Sequence, residues 1–405
     1  MSWEPTQLGE MITVKHGYAF KSQFFADEGK YVLLSPGNFY EEGGLKLKGD
    51  KEKYYTGDFP NEYLLKAGDL IMVMTDLVNT APILGGSAII PEDDRFLHNQ
   101  RLGLVEIKSR EKIDKGFLYH LLNTREYRGQ IRGSASGATV KHTAPERIYR
   151  CTLRIPKELK TQRRIASILT EYDDLIETNL RRIRLLEKSA RLVYQEWFVR
   201  LRFPGHEHTP IVKGVPRGWE RRELGEICDE VRDAVAPQEM DPETPYIGLE
   251  HIPRRSITLS AWGRAQEVTS SKHEFRAGDI LFGKIRPYFH KVGIALVNGV
   301  ASSDAIVLRP KEERLAGLVL SIVSSDRFVA EASQKMKEGS KMPRADWKIM
   351  QEFSVLLPPR AILEAFASYM VTTTLQLKLL AMQNLNLKKA RDILLPKLMS
   401  GEIKI

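Results

Sequence analysis

Between positions 156 and 202, apolar residues return every three or four positions: Ile165, Ile168, Leu169, Tyr172, Ile176, Leu180, Ile183, Leu186, Ala190, Val193 and Trp197. That period is one face of an α-helix. Pro156 suits a helix start, because its missing N–H and fixed φ cost nothing there. Nothing interrupts the run before Pro204-Gly205. At 1.5 Å per residue the segment would span roughly 60 Å, longer than a compact domain needs and suited to a spacer between modules. A second stripe follows Pro358-Pro359 and comprises Phe366, Met370, Leu377, Leu380, Leu387, Leu394 and Leu398. From Leu377 its steps alternate three and four, as in a coiled-coil seam. Asn384 and Arg391 fall on that seam, so part of it is expected to be polar or partner-facing. Two such helices bury their stripes most simply against each other; the alternative is two bundle helices in one α-rich domain.

A long-range repeat favours the spacer. Trp3-Glu4 with Leu8-Gly9-Glu10 returns as Trp219-Glu220 with Leu224-Gly225-Glu226, an offset of 216 (219 − 3). Ala67-Gly68-Asp69 returns as Ala277-Gly278-Asp279, offset 210 (277 − 67), and Ala190-Arg191 as Ala390-Arg391, offset 200 (390 − 190). The period is far too long for a solenoid; a whole globular unit with its helix is duplicated. The expected boundaries are 1–155, a long helix 156–203, a Pro/Gly-rich linker 204–218, 219–357, and a second long helix 358–405. Short strand-like runs bounded by turns occupy Tyr31–Leu34, Asp69–Met74, Ala88–Ile90 and Leu102–Ile107, then Tyr246–Leu249, Asp279–Lys284, Gly293–Val297 and Ala305–Leu308. Helices are expected at about Lys115–Asn123 and Arg314–Val323. The expected fold class is α+β: two globular mixed α/β domains separated by two long helices that bury their stripes against each other as a coiled-coil spacer, with an internal pseudo-two-fold repeat.

The 405 residues carry a net charge of +9 with 28% charged and 42% hydrophobic residues. This is the composition of a soluble globular chain, and its basic balance suits nucleic acid. No apolar run of eighteen residues or charged-then-apolar leader is visible, so no membrane association is expected. Cys151 and Cys228 lie far apart without CxxC spacing, which suggests a reducing cytoplasm and no metal site.

Catalytic motifs are near misses. Gly278 to Lys284 has phosphate-loop spacing, but Ile285 stands where Ser or Thr must hold magnesium, and Ile280-Leu281-Phe282 reads as strand. Leu357-Pro358-Pro359-Arg360 lacks the Asn or Asp and the aromatic residue that amino-methyltransferases place around their prolines to hold a flipped base. The chain is expected to recognise rather than catalyse. The candidate readers are polar and basic loops, since Arg, Gln and Ser/Thr read base edges while Lys and backbone N–H groups hold phosphates. In the first unit these are Lys15, His16, Tyr18 and Lys21; Thr75 and Asp76; Gln100 and Arg101; and Ser134, Ser136, Thr139, Lys141 and His142 in a small-residue loop. In the second they are Lys284, Arg286, Tyr288, His290 and Lys291; Ser302 and Ser303; and Lys337, Ser340, Lys341 and Arg344.

Several stretches resemble the DNA-specificity subunit of type I restriction-modification enzymes: LGEMITVKHGYAFKS, AGDLIMVMTDL, LHNQRLGLV and SGATVKHTAPERI in the first unit, and AGDILFGKIRPYFHKVGIA with ASSDAIVLRP in the second. The resemblance covers nearly the whole chain. It implies that each globular unit is a target recognition domain reading one half of an asymmetric, split sequence in double-stranded DNA, with the two long helices packed antiparallel to hold the domains a fixed distance apart. It also implies docking of two DNA adenine methyltransferase subunits and two motor-nuclease (restriction) subunits. S-adenosylmethionine, ATP and magnesium would sit in those partners, with no cofactor, metal or catalytic residue in this chain. The rival readings are a specificity-like subunit of another phage-defence complex, a stand-alone modification enzyme or nuclease, and a helical interaction protein with no DNA role.

Overall fold

The computed structural model describes residues 2–334 and 343–405. The chain forms two compact units, Met1–Asp174 with Lys388–Ile405, and Leu175–Leu387. Among the described residues, no helix is long and apolar enough to cross a membrane. The architecture is mixed α/β, with a long helix in sequence between two sheet-rich regions.

In the first unit, Ile12–His16, Leu102–Ile107, Leu70–Val73 and Ser87–Ile89 form an antiparallel sheet in that spatial order. Its central strand Leu70–Val73 is apolar at every position and buried on both faces. Leu70 and Met72 point into a core with the short helices Lys115–Leu121 and Arg125–Gly133. Ile71 and Val73 point into a second core, beneath a sheet of Phe25–Ala26, Tyr54–Tyr55, Tyr31–Leu33 and Phe96–Leu97. A run of consecutive apolar residues is what a strand covered on both sides requires. The turn that feeds it is built by Ala67-Gly68-Asp69. Gly68 takes φ 82°, and the Asp69 carboxylate accepts the Lys66 N–H at 2.8 Å.

The second unit repeats this construction. Cys228–Val231, Ala305–Pro310, Ile280–Gly283 and Val292–Ala295 form the matching sheet, extended by Thr258–Leu259. Ile280 and Phe282 enter one core and Leu281 the other. Gly278 has φ 97°, and Asp279 accepts the Arg276 N–H at 2.8 Å. The helices Ala316–Val323 and Asp326–Gln334 correspond to the two short helices of the first unit. The repeated Ala-Gly-Asp is thus a turn, and the phosphate-loop-like stretch is a turn and a strand.

The long helices are Leu159–Tyr194 and Arg360–Met399. The first starts later than the apolar pattern suggests. Thr152–Pro156 is a strand paired with Trp3–Gln7, so Pro156 closes a strand rather than opening a helix. The far end also stops short of Arg202: a π-helical turn spans Gln195–Val199, and Leu201 is left-handed at φ 58°. Within the first unit, Asp173 accepts from Arg391 at 2.7 Å, and Ile165 and Leu169 share a core with Leu398. Within the second, Asn179 donates to Asn384 at 3.0 Å, and Ile183 is buried with Leu377 and Leu380. Numbers rise along one helix as they fall along the other, so the helices pair antiparallel in each unit. Asn384 and Arg391, expected to be polar or partner-facing, are satisfied inside their own units. The helices Arg125–Gly133 and Asp326–Gln334 have no counterpart in the pattern reading, because each carries only three apolar residues in its buried set at most.

Glu187 ties the first long helix to the second unit's sheet. Its Oε1 accepts from Ser256 Oγ (2.7 Å), Ile257 N–H (3.0 Å), Thr258 N–H (3.0 Å) and Thr258 Oγ1 (2.6 Å). Burial raises its carboxyl above the ordinary 4.5, against the opposing pull of those hydrogen bonds. Glu187→Ala orphans these donors and is expected to destabilise by ~2–4 kcal/mol in urea titrations. Glu187→Gln keeps an accepting oxygen and should cost less. Because the folded pKa lies above the unfolded one, wild type is expected to hold its largest advantage over Glu187→Gln at acid pH. That advantage should shrink as pH rises from about 4.5 through the raised value.

Candidate nucleic-acid interface

The polar loops gather at one end of each central strand. In the first unit backbone hydrogen bonds join them in series. Tyr18 N–H donates to the His98 carbonyl (2.8 Å) and Gln100 N–H to the Tyr18 carbonyl (3.0 Å). Met74 N–H donates to the Arg101 carbonyl (2.9 Å) and Thr143 N–H to the Met74 carbonyl (3.0 Å). Lys141–His142 then pairs as a short strand with Thr75–Asp76, and Thr75 Oγ1 lies 3.0 Å from His142 Nδ1. Four loops distant in sequence thereby become one surface.

The second unit has the same zipper. Lys284 N–H donates to the Asp304 carbonyl (2.9 Å), as Met74 does to Arg101. Ala345 N–H donates to the Lys284 carbonyl (2.8 Å), as Thr143 does to Met74. Ile285 bridges Arg344, and Arg286 N–H donates to the Pro343 carbonyl (2.9 Å). Framework bonds are retained while the side chains they carry differ. That is the arrangement expected of two readers with different targets.

The individual candidates separate into framework and surface. Asp76 is 1% exposed; its carboxylate accepts the Val78 and Ile83 N–H groups at 3.0 and 2.8 Å. Thr75 is buried beside it. His290 is buried and left-handed (φ 54°), with Nε2 2.7 Å from the Ser324 carbonyl. Burial holds its pKa below the ordinary histidine value. These three, expected as readers, are buried in this structure, and their polar groups are engaged within their own unit. Lys15 is exposed but paired with Glu106 at 2.7 Å, and Lys291 reaches back to the Leu249 carbonyl. Lys141 Nζ donates to the Gly137 carbonyl at 2.8 Å, closing the small-residue loop.

His16, Lys21, Gln100, Arg101, Ser134, Ser136, Thr139 and His142 are exposed in the first unit, and Ser303 and Arg344 in the second. Arg344 lies 3.7 Å from Asp304. Tyr18, Lys284, Arg286 and Ser302 are half-buried, and Tyr288 is 53% exposed. Arg286 adopts φ 50°. That left-handed backbone is uncommon for a residue with a Cβ and costs of order 1–3 kcal/mol. The segment is held by Arg254, whose guanidinium lies 3.8 Å from the Phe289 ring centre, so Arg286 and Tyr288 project from a braced turn. Lys337, Ser340 and Lys341 lie outside the described residues.

Two features escaped the sequence reading. The first unit carries an aromatic cluster of Tyr18, Phe20, Tyr55, Phe59 and Tyr63, with Tyr18 5.1 Å from both Phe20 and Tyr63. Its members come from separate segments, so no local pattern announces it. His98 is the second: it is buried, holds the Leu102 carbonyl at 3.0 Å, and burial lowers its pKa to about 4. It stays neutral and braces the Gln100-Arg101 loop.

Residues 1–188 match the protein family described as the type I restriction modification DNA specificity domain. Those residues thus carry the DNA specificity domain of type I restriction-modification enzymes. The chain is similar to the type I restriction enzyme MjaIX specificity subunit of Methanocaldococcus jannaschii, 23% identical over 75% of this chain and 72% of that one. A shorter match, 28% identical over 36% of this chain and 32% of the other, joins it to the EcoDI specificity subunit of Escherichia coli. Its fold is that of the type I restriction-modification S subunit from M. genitalium, with a TM-score of 0.62 at 15% identity over 98% of this chain and 96% of that one.

Within the matched region, Arg101 and Asp76 provide a contrast. Arg101 has no ion pair among the described residues. Arg101→Ala is expected to leave the melting temperature unchanged and weaken DNA binding, lowering the slope of log affinity against log salt by about 1 if it meets a phosphate. Asp76→Ala is expected to destabilise the first unit by ~1–3 kcal/mol, since the Val78 and Ile83 N–H groups lose their acceptor.

Proposed function

We propose that this chain reads a two-part DNA sequence for a type I restriction-modification complex, one part with each unit. The observation that carries the proposal is the shared loop zipper with exchanged side chains: Gln100, Arg101, Lys141 and His142 in one unit, Lys284, Arg286, Tyr288, Ser302 and Arg344 in the other. Identical units would read identical halves; these differ, so the target is asymmetric. The surface candidates would contact base edges and phosphates, with the aromatic and buried residues fixing their positions.

On this reading the chain supplies specificity and no chemistry. Two adenine methyltransferase subunits bring S-adenosylmethionine, and two motor-nuclease subunits bring ATP and magnesium. The complex acts in the cytoplasm. A specificity-like role in another defence complex would use the same two readers with different partners.

Mapping of N6-methyladenine in cells carrying the co-encoded methyltransferase, with and without this chain, tests the proposal. A split motif that appears only when the chain is present is the expected result. Methylation indifferent to the chain would refute it.

A further inference from the structure

The loop surface of the first unit carries an apolar tip that a search for polar readers passes over. Leu77 and Val78 follow the buried pair Thr75-Asp76 and are 54% and 49% exposed. Among the described residues of the first unit, Leu77 is the most exposed large apolar side chain. One exposed leucine is ordinary in a folded protein. Two apolar residues in succession, on a loop built to hold them out, are not.

The loop is held from beneath. The Asp76 carboxylate takes the Val78 and Ile83 N–H groups, and Ala81, left-handed at φ 51°, donates its N–H to the Val78 carbonyl at 2.9 Å. Arg128 is buried under the same loop; its guanidinium donates to the Pro82 carbonyl and to the Glu41 carbonyl at 3.3 Å. Gly86 permits that approach, since a Cβ there would stand 2.7 Å from a guanidinium nitrogen. These contacts fix the backbone through main-chain groups and leave residues 77–80 in solvent. A loop already ordered loses little entropy when it meets a ligand.

The neighbours identify the ligand. Asp76 and Thr75 pair with Lys141 and His142, and Met74, just before them, anchors Arg101. The tip therefore stands beside exposed Gln100, Arg101 and His142, on the surface that the proposed reading gives to DNA. In its major groove a duplex presents one apolar group, the C5-methyl of thymine. Leu77 and Val78 are aliphatic and offer no aromatic face on which a base could stack. The second unit also exposes a large apolar side chain four residues beyond the shared framework bond, but it is the ring of Tyr288.

We propose that Leu77 and Val78 recognise thymine through its C5-methyl group in the half-site read by the first unit. The proposal rests on the reading of this chain as a DNA-sequence reader and adds an apolar contact to its polar ones.

The test uses the methyltransferase complex assembled with the full chain, as wild type and as Leu77→Ser combined with Val78→Ser, once methylation mapping has given the split motif. Binding is measured on duplexes in which deoxyuridine replaces thymine in one half or the other, a change that removes the methyl and keeps the hydrogen-bonding groups. In one half the replacement is expected to weaken wild-type binding about fourfold per contacted methyl. The double variant should bind the thymine duplex about as weakly as wild type binds the deoxyuridine duplex, and lose its response to the replacement. Its melting temperature should match wild type, because Asp76 and Arg128 still hold the loop. Wild-type binding indifferent to deoxyuridine in both halves, or a double variant that still responds to it, would overturn the proposal while the split motif stands. Brightening of 2-aminopurine away from the methylated adenine, abolished in the variant, would also overturn it by showing a wedge that unstacks a base step. Failure of the folded variant to assemble would overturn it by showing a protein neighbour at the tip. Absence of any split motif dependent on the chain would overturn the underlying reading as well.

Discussion

The central strand of each unit has no solvent face. Leu70–Val73 and Ile280–Gly283 are buried on both sides, so neither sheet can offer a polar surface from its middle. Polar groups that meet a ligand must lie where these strands end, and the chain brings its loops there. Met74 and Lys284 follow directly and anchor the incoming segments through their own N–H and carbonyl groups. Burial of the strand and placement of the interface are one constraint seen from two sides. It also explains why framework bonds persist between the units while side chains differ: the zipper is made by backbone, which sequence divergence leaves intact.

Much of this was legible because it is local. The central strands announce themselves as short apolar runs, and the Ala-Gly-Asp turns by a left-handed glycine and a capping carboxylate. The helix stripes follow a period set by 3.6 residues per turn. What escaped is what tertiary contact decides. Pro156 carries a helix-start signal, yet Trp3–Gln7 pairs with its segment and holds it extended. The two-residue strands of the second sheet are too short to show a period. Asp76 and His290 look like readers because they are polar residues in polar loops; only the fold shows that buried N–H and carbonyl groups claim them.

The long helices illustrate how polar residues acquire meaning from their neighbours. Asn384 lies on an apolar seam and finds Asn179 and the Ile176 carbonyl; Arg391 finds Asp173 and Asp392. Such pairs add little net stability where they replace apolar contact, and their value as register markers is greater. Glu187 acts similarly, fixing the Ser256-to-Thr258 segment against its helix through four donors. The framework thus holds its loops by buried polar contacts, leaving exposed side chains free to vary.

The division of labour between framework and loops is tested most directly by changing one reader and mapping the methylation motif. Arg286→Ala combined with Tyr288→Ala removes two projecting side chains of the second unit while the zipper's backbone bonds remain. In cells expressing the complete complex, relaxed or altered preference in one half of the motif, with the other half unchanged, is the expected result. Loss of both halves together, or a motif identical to wild type, would contradict it.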